Sequence, residues 1–70
     1  MIEQIIDFHK SLKKGQYVKI MSARPEYDTK VDRTDVISQE LDVLVINRAN
    51  GARVALNTNF VIMACIVERF

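Results

Sequence analysis

The sequence predicts an α+β fold that is mostly β, with an N-terminal helix followed by a strongly bent antiparallel sheet or a small β-barrel. Three observations support this class. The first residues have helical periodicity, the pattern changes to a strand type after Gly15, and Asn50-Gly51 separates two runs of strand-forming residues. We expect about four or five strands.

An amphipathic helix is predicted over residues 2–14. Its apolar residues recur at three- and four-residue spacing and are Ile2, Ile5, Ile6, Phe8 and Leu12. Glu3 and Asp7 lie near its start and lysines near its end, which suits the helix dipole. Gly15 can adopt the left-handed conformation that commonly follows a helix. The β region is therefore predicted over residues 16–69.

The first strand is predicted from Tyr17 to about Ala23, because Pro25 cannot occupy an interior position of a sheet. Residues 26–35 are mostly charged, which indicates a short exposed strand or a long polar turn. We interpret the acidic residues of this segment as a solvated face; they are Glu26, Asp28, Asp32 and Asp35.

A hairpin is predicted around Asn50-Gly51, the dipeptide that best fits a two-residue type I′ turn. Its arms are residues 41–46 and 53–56. A last strand follows over residues 60–67, where eight apolar residues occur without alternation. Such a run predicts burial of both faces, one by the core and the other by the helix or by a neighbouring subunit.

Composition favours one domain over residues 1–70. Apolar residues make up 49% of the chain, which is high for so short a protein, and a single cysteine rules out an intrachain disulfide. We therefore expect a homo-oligomer. Acidic residues interrupt the first apolar stretch and no run approaches the roughly 20 residues of a membrane span. These features predict a cytoplasmic protein with no membrane partner.

Sequence patterns of a catalytic site are missing, so the sequence predicts no enzyme, no metal site and no cofactor. Cys65 lies within the last apolar run, which indicates a buried and unreactive thiol. His9 falls near the boundary of the helical stripe, where a structural role is expected. The net charge of +1 predicts no general attraction to nucleic acid, so a nucleic-acid site has to be a local patch.

Pairs of cations and aromatic rings are the candidate ligand-binding residues. Tyr17 with Lys19, and Arg48 with Arg53 on either side of the Asn50-Gly51 turn, are the predicted site; Arg24 with Tyr27 is a further pair of this kind. Such residues neutralise phosphates and stack on bases. The alternative is that Tyr17 packs on the helix while the arginines are solvated or pair with Glu40 and Asp42.

The order of elements resembles the Sm-like family. A helix, a first strand beginning Tyr17-Val18-Lys19-Ile20, middle strands and a short turn into a last apolar strand are similar to the Hfq RNA chaperones, whose fold is an Sm/SH3-like barrel. The segments Asp35-Val36-Ile37, 41–46 and 50–56 are similar in pattern to the Rof proteins, which bind and inhibit the Rho termination factor.

These resemblances imply two functions. The first is an oligomeric, non-enzymatic module that binds single-stranded RNA or a nucleotide-like ligand. The alternative is a small regulatory protein that binds and inhibits or adapts a larger protein machine.

Overall fold

The computed structural model describes residues 2–69, which form one α-helix and six β-strands. The elements are α1 Ile2–Lys10, β1 Gln16–Ser22, β2 Thr29–Asp32, β3 Val36–Glu40, β4 Val43–Asn47, β5 Arg53–Asn57 and β6 Val61–Glu68. Single-turn 3₁₀ helices, Pro25–Tyr27 and Thr58–Phe60, precede β2 and β6. The predicted α+β, mostly β class is confirmed.

The strands form two antiparallel sheets of three strands each, in the orders β2-β1-β6 (sheet A) and β3-β4-β5 (sheet B). The sequence predicts a strongly bent sheet of four or five strands or a small barrel, whereas the structure has six antiparallel strands divided between two sheets. Within residues 2–69 no ladder joins the two sheets, so no closed barrel is seen. The chain turns sharply between β2 and β3, where the Asp35 amide donates to the Asp32 carbonyl at 3.1 Å. This turn interrupts the strand that would otherwise continue from one sheet into the other.

One apolar cluster connects the helix with both sheets. Alternation in β1 buries Val18 and Ile20, and β4 contributes Leu44 and Ile46. Ile5 of α1 is fully buried against them. Each side chain of this size stabilises the fold by about 1.5–3 kcal/mol through the apolar area that it removes from water.

The helix is shorter than predicted, since α1 ends at Lys10 rather than near residue 14. After Lys10 the backbone tightens, because the Leu12 amide donates to the carbonyl of His9, three residues earlier. Leu12 still reaches the core and is buried. Gly15, with a φ of +86°, serves a separate turn in which the Gln16 amide donates to the Lys13 carbonyl.

The hairpin at Asn50-Gly51 is present, but its turn is not type I′. Asn47 pairs with Arg53, and the Arg48 amide donates to the Ala52 carbonyl at 2.7 Å. The loop therefore contains three residues. Gly51 has a φ of +92°, whereas a type I′ turn would also require a positive φ at Asn50, which is not observed. A type I turn followed by a left-handed glycine is the usual geometry of such a loop.

The last strand is much more exposed than predicted. β6 pairs with β1 along one edge, and within residues 2–69 no strand pairs with its other edge. Val61 and Ala64 pack against the core, while the exposed fractions of Ile62, Met63 and Ile66 are 64%, 46% and 37%. Met63 lies on the face of Lys19, and Ile66 lies opposite Val18 on the other face. The predicted burial of both faces is therefore wrong for the single chain, because exposed apolar side chains occur on both faces and one edge of β6 is unpaired within residues 2–69.

Candidate functional site

The outer face of sheet A carries two of the four predicted site residues. Val18 and Ile20 point into the core, so the alternation of β1 places Tyr17 and Lys19 on the opposite face. In the β1–β2 register Tyr17 is opposite Asp32 and Lys19 is opposite Lys30. The sequence pattern thus brings Tyr17 and Lys19 together on one surface.

Two cationic side chains contact the Tyr17 ring. The Lys30 Nζ lies 5.3 Å from the ring centroid and the central guanidinium carbon of Arg69 lies 4.7 Å from it, distances typical of cation–π contacts. Arg69 also forms an ion pair with Asp32. We call Tyr17, Lys19, Lys30 and Arg69 the cationic face. The ring holds cations on this face and is therefore less free to stack on a base.

Arg48 has a different role from the one predicted. Its guanidinium donates to the Lys30 carbonyl and, at 2.9 Å, to the carboxylate of Asp35. Its expected partners, Glu40 and Asp42, are not the ones observed. Since the Arg48 side chain is only 23% exposed, it joins the β4–β5 turn to β2 as part of the structure.

Asp35 is buried rather than solvated, which corrects the interpretation of the acidic segment. Its carboxylate accepts hydrogen bonds from the amides of Asp32 (2.8 Å) and Ala49 (3.2 Å) as well as from Arg48. Burial by itself raises the pKa of Asp35, but these three donors and the charge of Arg48 outweigh it and hold the pKa below the ordinary 3.8. Asp35 is thus a charged connector between β2, β3 and the β4–β5 turn.

The outer edge of β2 is covered by side chains. His9 Nε2 donates to the Asp32 carbonyl at 3.1 Å, Asp35 accepts from the Asp32 amide, and Arg48 donates to the Lys30 carbonyl. The structural role expected for His9 agrees with this contact. An exposed edge strand can pair with a strand of another chain. These side-chain contacts protect β2 from such pairing, whereas the free edge of β6 remains open to it.

Arg53 lies apart from Tyr17 and Lys19. It begins β5, is exposed, and pairs in register with Asn47 in sheet B. The four predicted residues therefore divide into two on sheet A, one on sheet B, and Arg48 in the ion pair between them. Sequence reasoning grouped them because their spacing does not reveal the separation into two sheets.

Two exposed aromatic side chains line the same concavities at the far end of β1. Tyr27 and Phe60 are 55% and 59% exposed and together line two concavities of about 230 and 270 Å³. The predicted last strand includes Phe60, whereas the structure places Phe60 in the 3₁₀ helix before β6. The pairing of Arg24 with Tyr27 was the one signal in the sequence, and nothing in it indicated that Phe60 joins them.

We also searched the described part of the chain for metal ligands, a membrane-spanning helix and a buried thiol. No group of three His, Cys, Asp or Glu side chains there could hold a metal ion, and no helix among residues 2–69 is long and apolar enough to cross a membrane. Cys65 is half-buried and lies opposite Lys19 in the β1–β6 register, so the predicted core position of this thiol is wrong.

Comparison with known proteins finds no matching family model, curated sequence or solved structure. The geometry above is therefore the basis for a functional argument.

Proposed function

We propose that this chain is a cytoplasmic, non-enzymatic module that assembles with copies of itself and binds single-stranded RNA or a nucleotide-like ligand. The carrying observation is the cationic face, where Lys30 and Arg69 contact the Tyr17 ring and Lys19 lies on the same side of sheet A. The order of one helix followed by antiparallel strands supports an Sm-like assignment, although fold likeness alone does not establish a ligand.

Local charge, rather than net charge, supports the ligand class. The chain as a whole carries only +1. On the cationic face three basic side chains meet a single acid, Asp32, which pairs with Arg69. Lys19 and Lys30 are thus left to neutralise phosphates, which is the contact that supplies most sequence-independent affinity for nucleic acid.

The free edge of β6 supports self-association. Its exposed side chains include Ile62, Met63 and Ile66, which a monomer leaves in water. A second copy that pairs along this edge would satisfy the backbone groups of β6 and cover these side chains together. Self-association would thus supply the second cover that the apolar sequence of residues 60–67 predicts.

The same edge supports the alternative function, a regulatory protein that binds and inhibits or adapts a larger protein machine. A partner with its own exposed strand can add to a free sheet edge as readily as a second copy can. Sedimentation of the purified chain separates the two, since a stable multimer favours the first function and a monomer favours the alternative.

Binding of short RNA tests the proposed ligand. We expect hexameric single-stranded RNA to bind with an affinity that falls with salt, and the Lys19→Gln/Lys30→Gln variant to reduce both the affinity and the salt dependence. Each lost phosphate contact should lower the slope of log affinity against log salt by about 0.7. Fluorescence anisotropy of labelled RNA at two salt concentrations measures both quantities.

The matched control is Lys10→Gln/Lys14→Gln, which changes net charge equally but lies at the end of α1 and in the following turn. Arg53→Ala tests the predicted site residue on sheet B separately. Equal losses in the Lys19/Lys30 and Lys10/Lys14 variants would show a nonspecific charge effect and contradict the cationic face as the site. No binding by the wild-type chain would contradict the RNA function.

A further inference from the structure

Hydrogen bonds attach the backbones of Tyr27 and Phe60 to residues at one end of β1. The Ala23 amide donates to the Phe60 carbonyl at 2.8 Å, and the Ser22 hydroxyl donates to the Tyr27 carbonyl at 3.3 Å. The Asp28 carboxylate accepts from the Ser22 amide at 2.9 Å and fixes the next residue of the same segment. The backbones of both aromatic residues are therefore positioned by the fold, although each residue is more than half exposed.

The space beside the two rings suits small planar groups. One concavity of about 230 Å³ is lined by Arg24, Tyr27 and Phe60. The other, about 270 Å³, shares both rings and continues to Asn57 of β5. Sites for drug-sized ligands range from roughly 300 to 1,000 Å³, so each concavity fits a single ring system better than a large molecule.

Charge and hydrogen-bonding capacity narrow the class of ligand. Arg24 is the one charged residue that lines either concavity, and among residues 2–69 no ion pair engages it. The side-chain oxygen Oδ1 of Asn57 accepts from the Asn59 amide, while the side-chain N–H groups of Asn57 have no protein acceptor in the described residues. The site therefore offers two ring faces, one cation and one amide donor.

We infer that this aromatic site, Arg24, Tyr27, Phe60 and Asn57, binds a nucleobase of a single-stranded nucleic acid. The base stacks on the aromatic rings, the adjacent phosphate pairs with Arg24, and Asn57 donates to the edge of the base. A proline-rich peptide could use the same rings, but it brings no negative charge to Arg24. The inference deepens the proposed RNA function and rests on it.

The position of the aromatic site relative to the cationic face suits an extended strand of RNA. The two lie toward opposite ends of β1, since Tyr17 is near its start and Ser22 at its end. Five residues of a strand span about 17 Å. A short single strand can therefore span the distance from Lys19 and Lys30 on the outer face to the aromatic site, whose lining includes the buried Ser22 and Leu56.

Tyrosine fluorescence provides a direct test. The chain has two tyrosines and no tryptophan, so Tyr17→Phe leaves Tyr27 as the sole emitter. We expect adenosine monophosphate to quench Tyr27 in this background and ribose 5-phosphate, which lacks the base, to leave it unchanged. When Phe60→Leu or Arg24→Gln is added, the affinity for adenosine monophosphate, measured from the quenching titration, should fall on the order of tenfold. Leu41→Ala, at an exposed apolar residue in another turn, is the matched control, and thermal melts check that each variant folds.

The second experiment measures binding of hexameric adenylate RNA to the wild-type chain and to each single variant, without the Tyr17→Phe background. Binding that falls about tenfold in Phe60→Leu and is unchanged in Leu41→Ala supports the site. RNA binding that Phe60→Leu and Arg24→Gln leave unchanged overturns the site and keeps the proposed function. Quenching by the monophosphate without RNA binding keeps a nucleotide site and overturns the RNA function. Quenching by a proline decamer but not by the monophosphate overturns the nucleobase inference, as does the absence of any quenching.

Discussion

Asp35 shows how a single residue can be misinterpreted from sequence. Within a charged segment it is typical of a solvated acid, yet it is 4% exposed and accepts three hydrogen bonds, one from the Asp32 amide of its own turn and two from the distant residues Arg48 and Ala49. The sequence could not predict this, because Arg48 and Ala49 approach Asp35 only after the two sheets form. The ion pair between Asp35 and Arg48 also makes Arg48 a structural residue rather than a ligand-binding one. Removal of Arg48 would leave the buried carboxylate of Asp35 without its charged partner.

Asp35→Asn should destabilise the fold in a pH-dependent way. The folded-state pKa of Asp35 lies below the ordinary 3.8, so its stabilisation is fully present above about pH 4 and is lost as the pH falls through the folded-state pKa. We expect the variant to lose about 1–3 kcal/mol of unfolding free energy at neutral pH and to approach the wild type in acid. Urea unfolding between about pH 7 and pH 2 measures this difference.

Glu26→Gln is the control for that experiment, since Glu26 is exposed and its loss changes the net charge equally. A constant difference between Asp35→Asn and the wild type across the pH range would contradict ionised Asp35 as the source of the stabilisation.

At the scale of elements, turn chemistry decided which hairpins the sequence could predict. The β4–β5 hairpin was predicted because Asn50-Gly51 is a recognisable turn. The β3–β4 hairpin was not, because Leu41 occupies its turn with a φ of +53° and a 92% exposed side chain. A leucine rarely adopts a positive φ, so the residue type does not mark this turn, and the predicted arm 41–46 begins at Leu41 itself. The helix end was misplaced for a similar reason, since local hydrogen bonds close α1 before its apolar pattern stops.

Gly51→Val should lower stability by about 1–2 kcal/mol through backbone strain. A Cβ at this position would meet no atom within 4 Å, so side-chain crowding does not contribute. Gly51→Asn is the matched variant, because asparagine tolerates a positive φ better than a β-branched residue does. Chemical denaturation of the three proteins should rank them wild type, Asn, then Val. Equal stability of the Val and Asn variants would show that the turn relaxes to another geometry.

At the scale of the whole molecule, the fold class depends on local sequence patterns, whereas the arrangement of the candidate site depends on how the two sheets are formed. The fold class is therefore easier to predict from the sequence. Helical spacing and β-branched runs are local, so α1 and most strands could be located approximately from sequence. The grouping of strands into two sheets depends on the Asp32–Asp35 turn, and the position of Phe60 beside Tyr27 depends on that grouping. Tyr17 and Lys19 share a face because alternation within one strand is itself local.

The free edge of β6 leads to a prediction about assembly. We expect the wild-type chain to sediment as a multimer and Ile62→Lys to shift it toward the monomer without unfolding it, because the substitution places a charge at the proposed contact. Loss of an apolar contact of this size corresponds to at least about a tenfold weaker association. Val36→Lys is the matched control, since Val36 on sheet B is 63% exposed compared with 64% for Ile62. Sedimentation over a range of concentrations measures the result. A wild-type chain that remains monomeric throughout would contradict self-association and leave a partner protein as the expected cover for β6.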